Sequence, residues 1–238
     1  MDDHEHAWDF YMTLLDGLPA TIRVDLSFLT DPIPDGCTQL YVAFLPMEAE
    51  EGHGMGDEAD RERLAPIEQA LHHRLREAGG VPVGRIRSGQ RWQVTAYGPP
   101  GLAWEAWLKE LGPAGTEVAE QDDAHGGYLM SVLLPDPERR LWIFSRRAVD
   151  RLAHHGDQLH IPREVRHSVQ FPVDAPKAFL DTARELGFDA VSTPTGLRLS
   201  RFDLLEVDEI HPVVVELVML AQEHGGEYGG WECDLEAA

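Results

Sequence analysis

Residues 165–233 read VRHSVQFPVDAPKAFLDTARELGFDAVSTPTGLRLSRFDLLEVDEIHPVVVELVMLAQEHGGEYGGWEC, and nearly every element boundary in that stretch carries its own signal. Val165, Val169 and Phe171 alternate with Arg166, Ser168 and Gln170, with His167 on the apolar side, which is the period of a half-buried strand. Asp174 stands at an N-cap position and Pro176 suits a first turn. Phe179, Leu180, Ala183 and Leu186 then form one apolar stripe before Gly187 ends the helix. Two short runs, 188–193 and 197–202, flank Pro194, Thr195 and Gly196 and predict a hairpin. Asp208 caps a second helix with Ile210, Val214, Leu217 and Ala221 on one face, Pro212 near the first turn and Gly225 or Gly226 as terminator. Tyr228 and Trp231 bring rings into a last strand, where Gly229 and Gly230 predict a bulge or a close approach. Two helices crossing back over a mainly antiparallel sheet make a ferredoxin-like α/β sandwich.

The same order of elements appears upstream. Leu40 to Leu45 is an apolar strand, and Leu64, Ile67, Leu71 and Leu75 repeat at helical spacing up to Gly79 and Gly80, with Pro66 either starting or kinking that helix. Runs 81–87 and 91–97 form a hairpin around Ser88, Gly89 and Gln90, with Trp92, Val94 and Ala96 on one face. Ala103, Trp104, Trp107, Leu108 and Leu111 give a second helix stopped by Gly112, and 116–120 closes the sheet. Runs 8–14 and 20–26 add an N-terminal hairpin around Asp16, Gly17 and Leu18 that extends the first sheet. Asp136 and Pro137 open a helix carrying Leu141, Phe144, Ala148 and Leu152, ended by Gly156 and expected to pack between the modules. Residues 128–134 fit no element. The expected fold is α+β: two ferredoxin-like βαββαβ modules, 1–135 and 157–238, joined by a helix within 136–156.

The chain has 238 residues, 42 acidic and 20 basic, for a formal charge of −22. Neutralising phosphates needs the opposite sign, so direct nucleic-acid binding and anionic membrane surfaces are disfavoured. No apolar run approaches the roughly 20 residues of a membrane span, and Asp2, Asp3, His4, Glu5 and His6 do not begin a secretory leader; a cytoplasmic protein is expected. Cys37 and Cys233, without CxxC spacing, are expected as free thiols. From Phe202 onward the acids have no lysine or arginine among them. Glu206, Asp208, Glu209, Glu216, Glu223, Glu227 and Glu232 are therefore the candidate contact surface for a basic protein partner, within a screening length of about 8 Å.

Catalytic chemistry finds little footing. The GHGMG stretch with Gly52, Gly54 and Gly56 superficially resembles a phosphate loop, yet it lacks the lysine of a P-loop and sits among Glu48, Glu50, Glu51, Asp57 and Glu58. His72 with His73 and His154 with His155 are poor chelators, since neighbours on a helix point about 100° apart, and His4 with His6 could bind a metal only weakly in a tail; all three pairs are read as exposed. His167, with Asp157 or Glu164 to orient it, is the one acid/base alternative, against the ordinary role of a core imidazole bonded to its surroundings. An RNA-recognition sheet needs stacking aromatics on a basic face, whereas Arg166, Ser168, Gln170, Arg198, Ser200 and Phe202 supply one ring. No catalytic, cofactor-binding or metal residue is assigned.

The stretches GDQLHIPREVRHSVQF (156–171) and HGGEYGGWE (224–232) resemble the RraB family, regulators of ribonuclease E activity, over roughly 157–235. The preceding residues resemble a companion family of unknown function. The resemblance implies a non-enzymatic inhibitor that binds ribonuclease E, whose RNA-binding segments are arginine-rich, and changes which RNAs are cut. Gly229 stands where the family more often has aspartate. An immunity-type inhibitor of a basic toxin nuclease is a further alternative.

Overall fold

The computed structural model describes residues 7–48, 54–194 and 196–236. The architecture is mixed α+β with two antiparallel sheets, and the chain divides into two compact units, Met1–Pro135 and Asp136–Ala238.

In the first unit, β1 (Trp8–Leu15) and β2 (Leu18–Asp25) form a hairpin whose turn residues, Asp16 and Gly17, have φ of 51° and 80°. Two left-handed residues match the strands' natural twist, so an Asp-Gly turn is favoured there. Then come β3 (Gln39–Pro46), α1 (Glu58–Glu77), β4 (Val81–Ser88), β5 (Arg91–Gly98), α2 (Trp104–Leu111) and β6 (Glu117–Asp122). The sheet order is β1-β2-β4-β5-β3-β6, so the hairpin extends the sheet through β2 on β4. Tyr41, Ala43, Leu45, Trp92, Val94 and Ala96 meet Leu64, Leu71, Leu75, Trp104 and Leu108 in the core beneath the helices. Asp57 caps α1 by accepting from the Asp60 N–H, so Pro66 lies in the helix interior and does not start it. Residues 128–134, which fit no element by period, contain a π-helical turn, Leu129–Leu133, packed near β2 on the other sheet face. Tyr11 donates to the Leu133 carbonyl at 3.0 Å, and the Asp123 carboxylate accepts from the Tyr97 hydroxyl and from the Gly127 and Tyr128 N–H groups. Both faces of this sheet are thereby packed.

The second unit comprises α3 (Pro137–His154), β7 (Arg163–Gln170), α4 (Lys177–Glu185), β8 (Asp189–Thr193), β9 (Gly196–Asp203), α5 (Val207–Glu223) and β10 (Glu227–Cys233), with sheet order β10-β7-β9-β8. Along β7 the side chains of Val165, His167 and Val169 are buried and those of Glu164, Ser168 and Gln170 exposed, the alternation its sequence carries. Expected as a connector, α3 packs within this unit: Val149 joins Val165, Leu205, Ile210 and Val214 in one apolar cluster. Two expected caps differ. Pro176, not Asp174, occupies the N-cap of α4, and Glu206, not Asp208, that of α5; neither makes a side-chain capping bond. Asp208 and Glu209 sit instead in the first turn of α5, where the helix dipole favours carboxylates, and Pro212 falls inside the helix.

The last strand carries the bulge its glycines predict. Tyr228 pairs with Val169, Gly230 with Ser168 and Trp231 with His167, so one extra residue puts both rings on the buried side. Gly230 has φ of 112°, and a Cβ at Gly229 would meet Ser168 Oγ at 2.7 Å. The backbone at Gly230 favours glycine, whereas a side chain at Gly229 would have to displace the exposed Ser168 hydroxyl.

Candidate functional site

All seven carboxylates of the sequence-based surface are exposed, but they do not form one patch. Glu206, Asp208 and Glu209 gather at the start of α5, Glu216 and Glu223 lie on its outer side, and Glu227 and Glu232 belong to β10. Glu232 is partly offset. Arg166 of the neighbouring strand reaches Glu232 at 3.3 Å and Asp234 at 2.9 Å, and these acceptors, Asp234 foremost, raise the guanidinium's pKa. Arg201 likewise holds Asp203 at 2.9 Å. The other six enter no ion pair among the described residues.

Glu216 and Glu223 rim a groove of about 640 Å³ whose apolar lining includes Leu186, Pro212, Val215 and Met219. Met219 is 65% exposed. Glu138, at the start of α3, adds a third carboxylate to the rim. The groove exists because α5 is apolar on two sides: Ile210, Val214, Leu217 and Ala221 face the core, while Pro212, Val215 and Met219 form a second stripe along the groove. Burial lowers the His211 pKa and Glu138 opposes the shift, so the imidazole adds no positive charge to the groove at neutral pH. Of the sequence-based residues the groove unites only Glu216 and Glu223. Glu138, Val215 and Met219 were missed, although the second stripe at 212, 215 and 219 was the available signal.

The acid/base alternative lacks its partners. His167 is fully buried, and its Nδ1 lies 2.8 Å from the Tyr228 hydroxyl, not from a carboxylate. Glu164 points to the opposite sheet face, as strand alternation requires. Asp157 is engaged by Arg163 at 2.6 Å, and that guanidinium also donates to the Gln158 carbonyl at 2.6 Å. Burial pushes the His167 pKa down to about 4, with Asp203 opposing and Arg201 adding to the shift, and burial pushes the Tyr228 hydroxyl up. A depression of about 350 Å³ touches His167, Arg198, Gly230 and Trp231, and the His167 Nε2 and Trp231 Nε1 atoms are buried without a partner. The ring is therefore held by a phenol and lacks the orienting carboxylate that the acid/base alternative requires.

The remaining candidates separate. His154, His155 and His73 are exposed, but His72 is half-buried and stacks on Trp8, contrary to its expected exposure. His4, His6, Gly52 and the acids Glu50 and Glu51 lie outside the described residues. Among the described residues no group of three or more His, Cys, Asp or Glu stands where it could hold a metal ion, and no helix is long and apolar enough to cross a membrane. Cys37 and Cys233 are free thiols.

Fold and site together define an acidic two-unit α+β protein with an apolar groove edged by carboxylates on its second unit. The chain belongs to the family of unknown function DUF695, whose model matches residues 6–134. Residues 142–233 match the family model described as Regulator of ribonuclease activity B. No curated protein matches the chain.

Proposed function

We propose that this is a non-enzymatic, cytoplasmic regulatory protein that binds and restrains a basic protein partner, ribonuclease E or a similar RNA-processing enzyme. The carboxylate-edged groove on α5 carries the reading, and the match of residues 142–233 to a regulator of ribonuclease activity supports the choice of partner. An arginine-rich amphipathic segment suits such a groove: its apolar side covers Val215 and Met219 while its guanidinium groups meet Glu138, Glu216 and Glu223. Exposed ion pairs contribute only about 0.2–1 kcal/mol each, so the carboxylates set encounter rate and specificity while the floor supplies affinity. Glu206, Asp208, Glu209, Glu227 and Glu232 extend the attracting field. The strand order β10-β7-β9-β8, matched by β6-β3-β5-β4 in reverse listing within the first sheet, supports reading each unit as a ferredoxin-like sandwich, with modules 1–135 and 157–238 and a helix in 136–156.

The test is titration of the full chain with arginine-rich amphipathic peptides taken from ribonuclease E, followed by fluorescence anisotropy. The double replacement Glu216→Lys and Glu223→Lys is expected to weaken binding at least tenfold and to flatten its salt dependence. Equal affinity for the double variant would sink the assignment of the groove. Full RNA cleavage by ribonuclease E in the presence of excess protein would sink the regulatory reading itself.

A further inference from the structure

Cations are scarce in this chain, yet three arginines of the first unit share one sheet face. Arg23 on β2 stands directly opposite Arg85 on β4, and Arg87 lies one row further, opposite Thr21. Like charges in opposed positions destabilise a sheet. The carboxylate that answers them from α1 is Glu68, and it is divided between Trp92 Nε1 at 2.7 Å and Arg85 Nη1 at 3.3 Å. Arg23 and Arg87 enter no ion pair among the described residues, and the buried Nε of Arg87 has no acceptor. Arg23 lies over the Trp8 ring at 4.8 Å and Arg85 over Trp92 at 4.3 Å, an arrangement that fixes guanidinium planes and leaves their edges able to donate. Burial lowers the pKa of both Arg85 and Arg87, and Arg61 adds to the shift at Arg87. Half-buried cations that share one divided carboxylate form an incomplete electrostatic set. Beside them, in the rows of Thr21 and Pro19, Met12 and Leu14 of β1 are 56% and 66% exposed.

We propose that this face of the first unit binds a compact phosphorylated small molecule, its phosphate oxygens bridging Arg23 and Arg87 and its organic part lying on Met12 and Leu14. Arg85 and Arg87 are two residues apart on one strand, about 7 Å, a spacing that long guanidinium side chains close around a phosphate or diphosphate. A long polyanion is disfavoured because the formal charge of −22 acts along its whole length, whereas an anion within a screening length of about 8 Å of the cluster feels mainly these arginines. The site uses none of the residues of the groove on α5.

Calorimetric titration of the full chain with inorganic pyrophosphate tests it. Saturable binding at one equivalent is expected, weakened at least tenfold by Arg23→Gln and by Arg87→Gln, and unchanged by Arg91→Gln, whose guanidinium already faces Glu117 at 3.4 Å. Arg87→Gln keeps the test open should Arg23→Gln loosen Trp8, because among the described residues the Arg87 side chain makes no hydrogen bond or ion pair and only a contact with the Trp92 ring at 5.8 Å. Absence of saturable pyrophosphate binding overturns the proposal, as does equal affinity of the Arg87 variant, or binding confined to a single-stranded RNA oligomer.

Discussion

The two sheets share a core of four antiparallel strands crossed by two helices, but they differ in what becomes of the spare face. In the first unit the segment 123–134 folds over it, with Tyr97 and Tyr11 hydrogen-bonded into that cover, and two extra strands widen the sheet. In the second unit the spare face keeps Ser168, Gln170, Arg198 and the 73% exposed Phe202 at the surface, while α3 is added on the helix side. Each unit also holds its charge differently. On one sheet face the first sets three guanidinium groups near a single carboxylate, and the second fixes its buried arginine with a dedicated aspartate and leaves acids unpaired on a helix. One order of elements therefore supports different placements of charge on two acidic units, because the scaffold constrains the buried period and leaves the exposed positions open.

The largest expected contrast lies in the ion pairs. Arg163 and Asp157 have side chains 6% and 0% exposed, so Arg163→Ala strands a buried carboxylate and is expected to cost about 3–5 kcal/mol in urea unfolding. Arg74 and Glu110 of the first unit also pair at 2.7 Å, but in water, and Arg74→Ala is expected to leave the urea midpoint almost where it was. Equal losses would erase the distinction drawn here between a structural clamp and a solvated pair.

Acid sharpens the comparison next. The folded-state pKa of His167 is pushed to about 4, and that of His72 to about 3 by burial and by Arg76, Arg23 and Arg85, both from an ordinary 6.5. The folded state thus binds fewer protons than the unfolded chain, so stability is full above pH 6.5 and falls as the pH drops, until about 4 for His167 and about 3 for His72. A loss on the order of a few kcal/mol by pH 4 is expected in denaturant titrations. His167→Gln should flatten the upper part of that profile; an unchanged slope would mean that carboxylates alone drive it.

Helix caps give the smallest effect. Asp57→Ala removes the bond to the Asp60 N–H and is expected to cost about 1 kcal/mol by thermal melting. Glu206→Ala, at a position with no capping bond, should stay within about 0.5 kcal/mol of the parent.

Where the chain keeps a regular period, the fold could be read directly. The alternation at Val165, His167 and Val169, the stripe at Leu64, Leu71 and Leu75, and the Asp-Gly turn at 16–17 each specify their element locally. The π-helical turn at 129–133 has neither a strand nor an α-helix period, and what holds it comes from Tyr11 and Tyr97, distant in sequence. The caps failed for a related reason: Asp174 and Asp208 are good capping residues, but the chain's entry into each helix decides where the first turn falls. The candidate surface was half visible. Composition located the acids on α5 and β10, whereas the offsetting Arg166 and the rim residue Glu138 arrive from other elements. The arginine face of the first unit was hidden because a cross-strand register unites Arg23 with Arg85.

The bulge at Gly229 and Gly230 makes the closing strand more sensitive to its register than to its lettering. If both glycines stayed in the ladder without the bulge, each with its own partner, simple alternation would turn the indole of Trp231 outward, with Glu232 carried into its place beneath the helices; removing one of them would instead keep both rings inward. An aliphatic exchange at Tyr228 would alter one contact; a shift of one position would invert everything downstream of it.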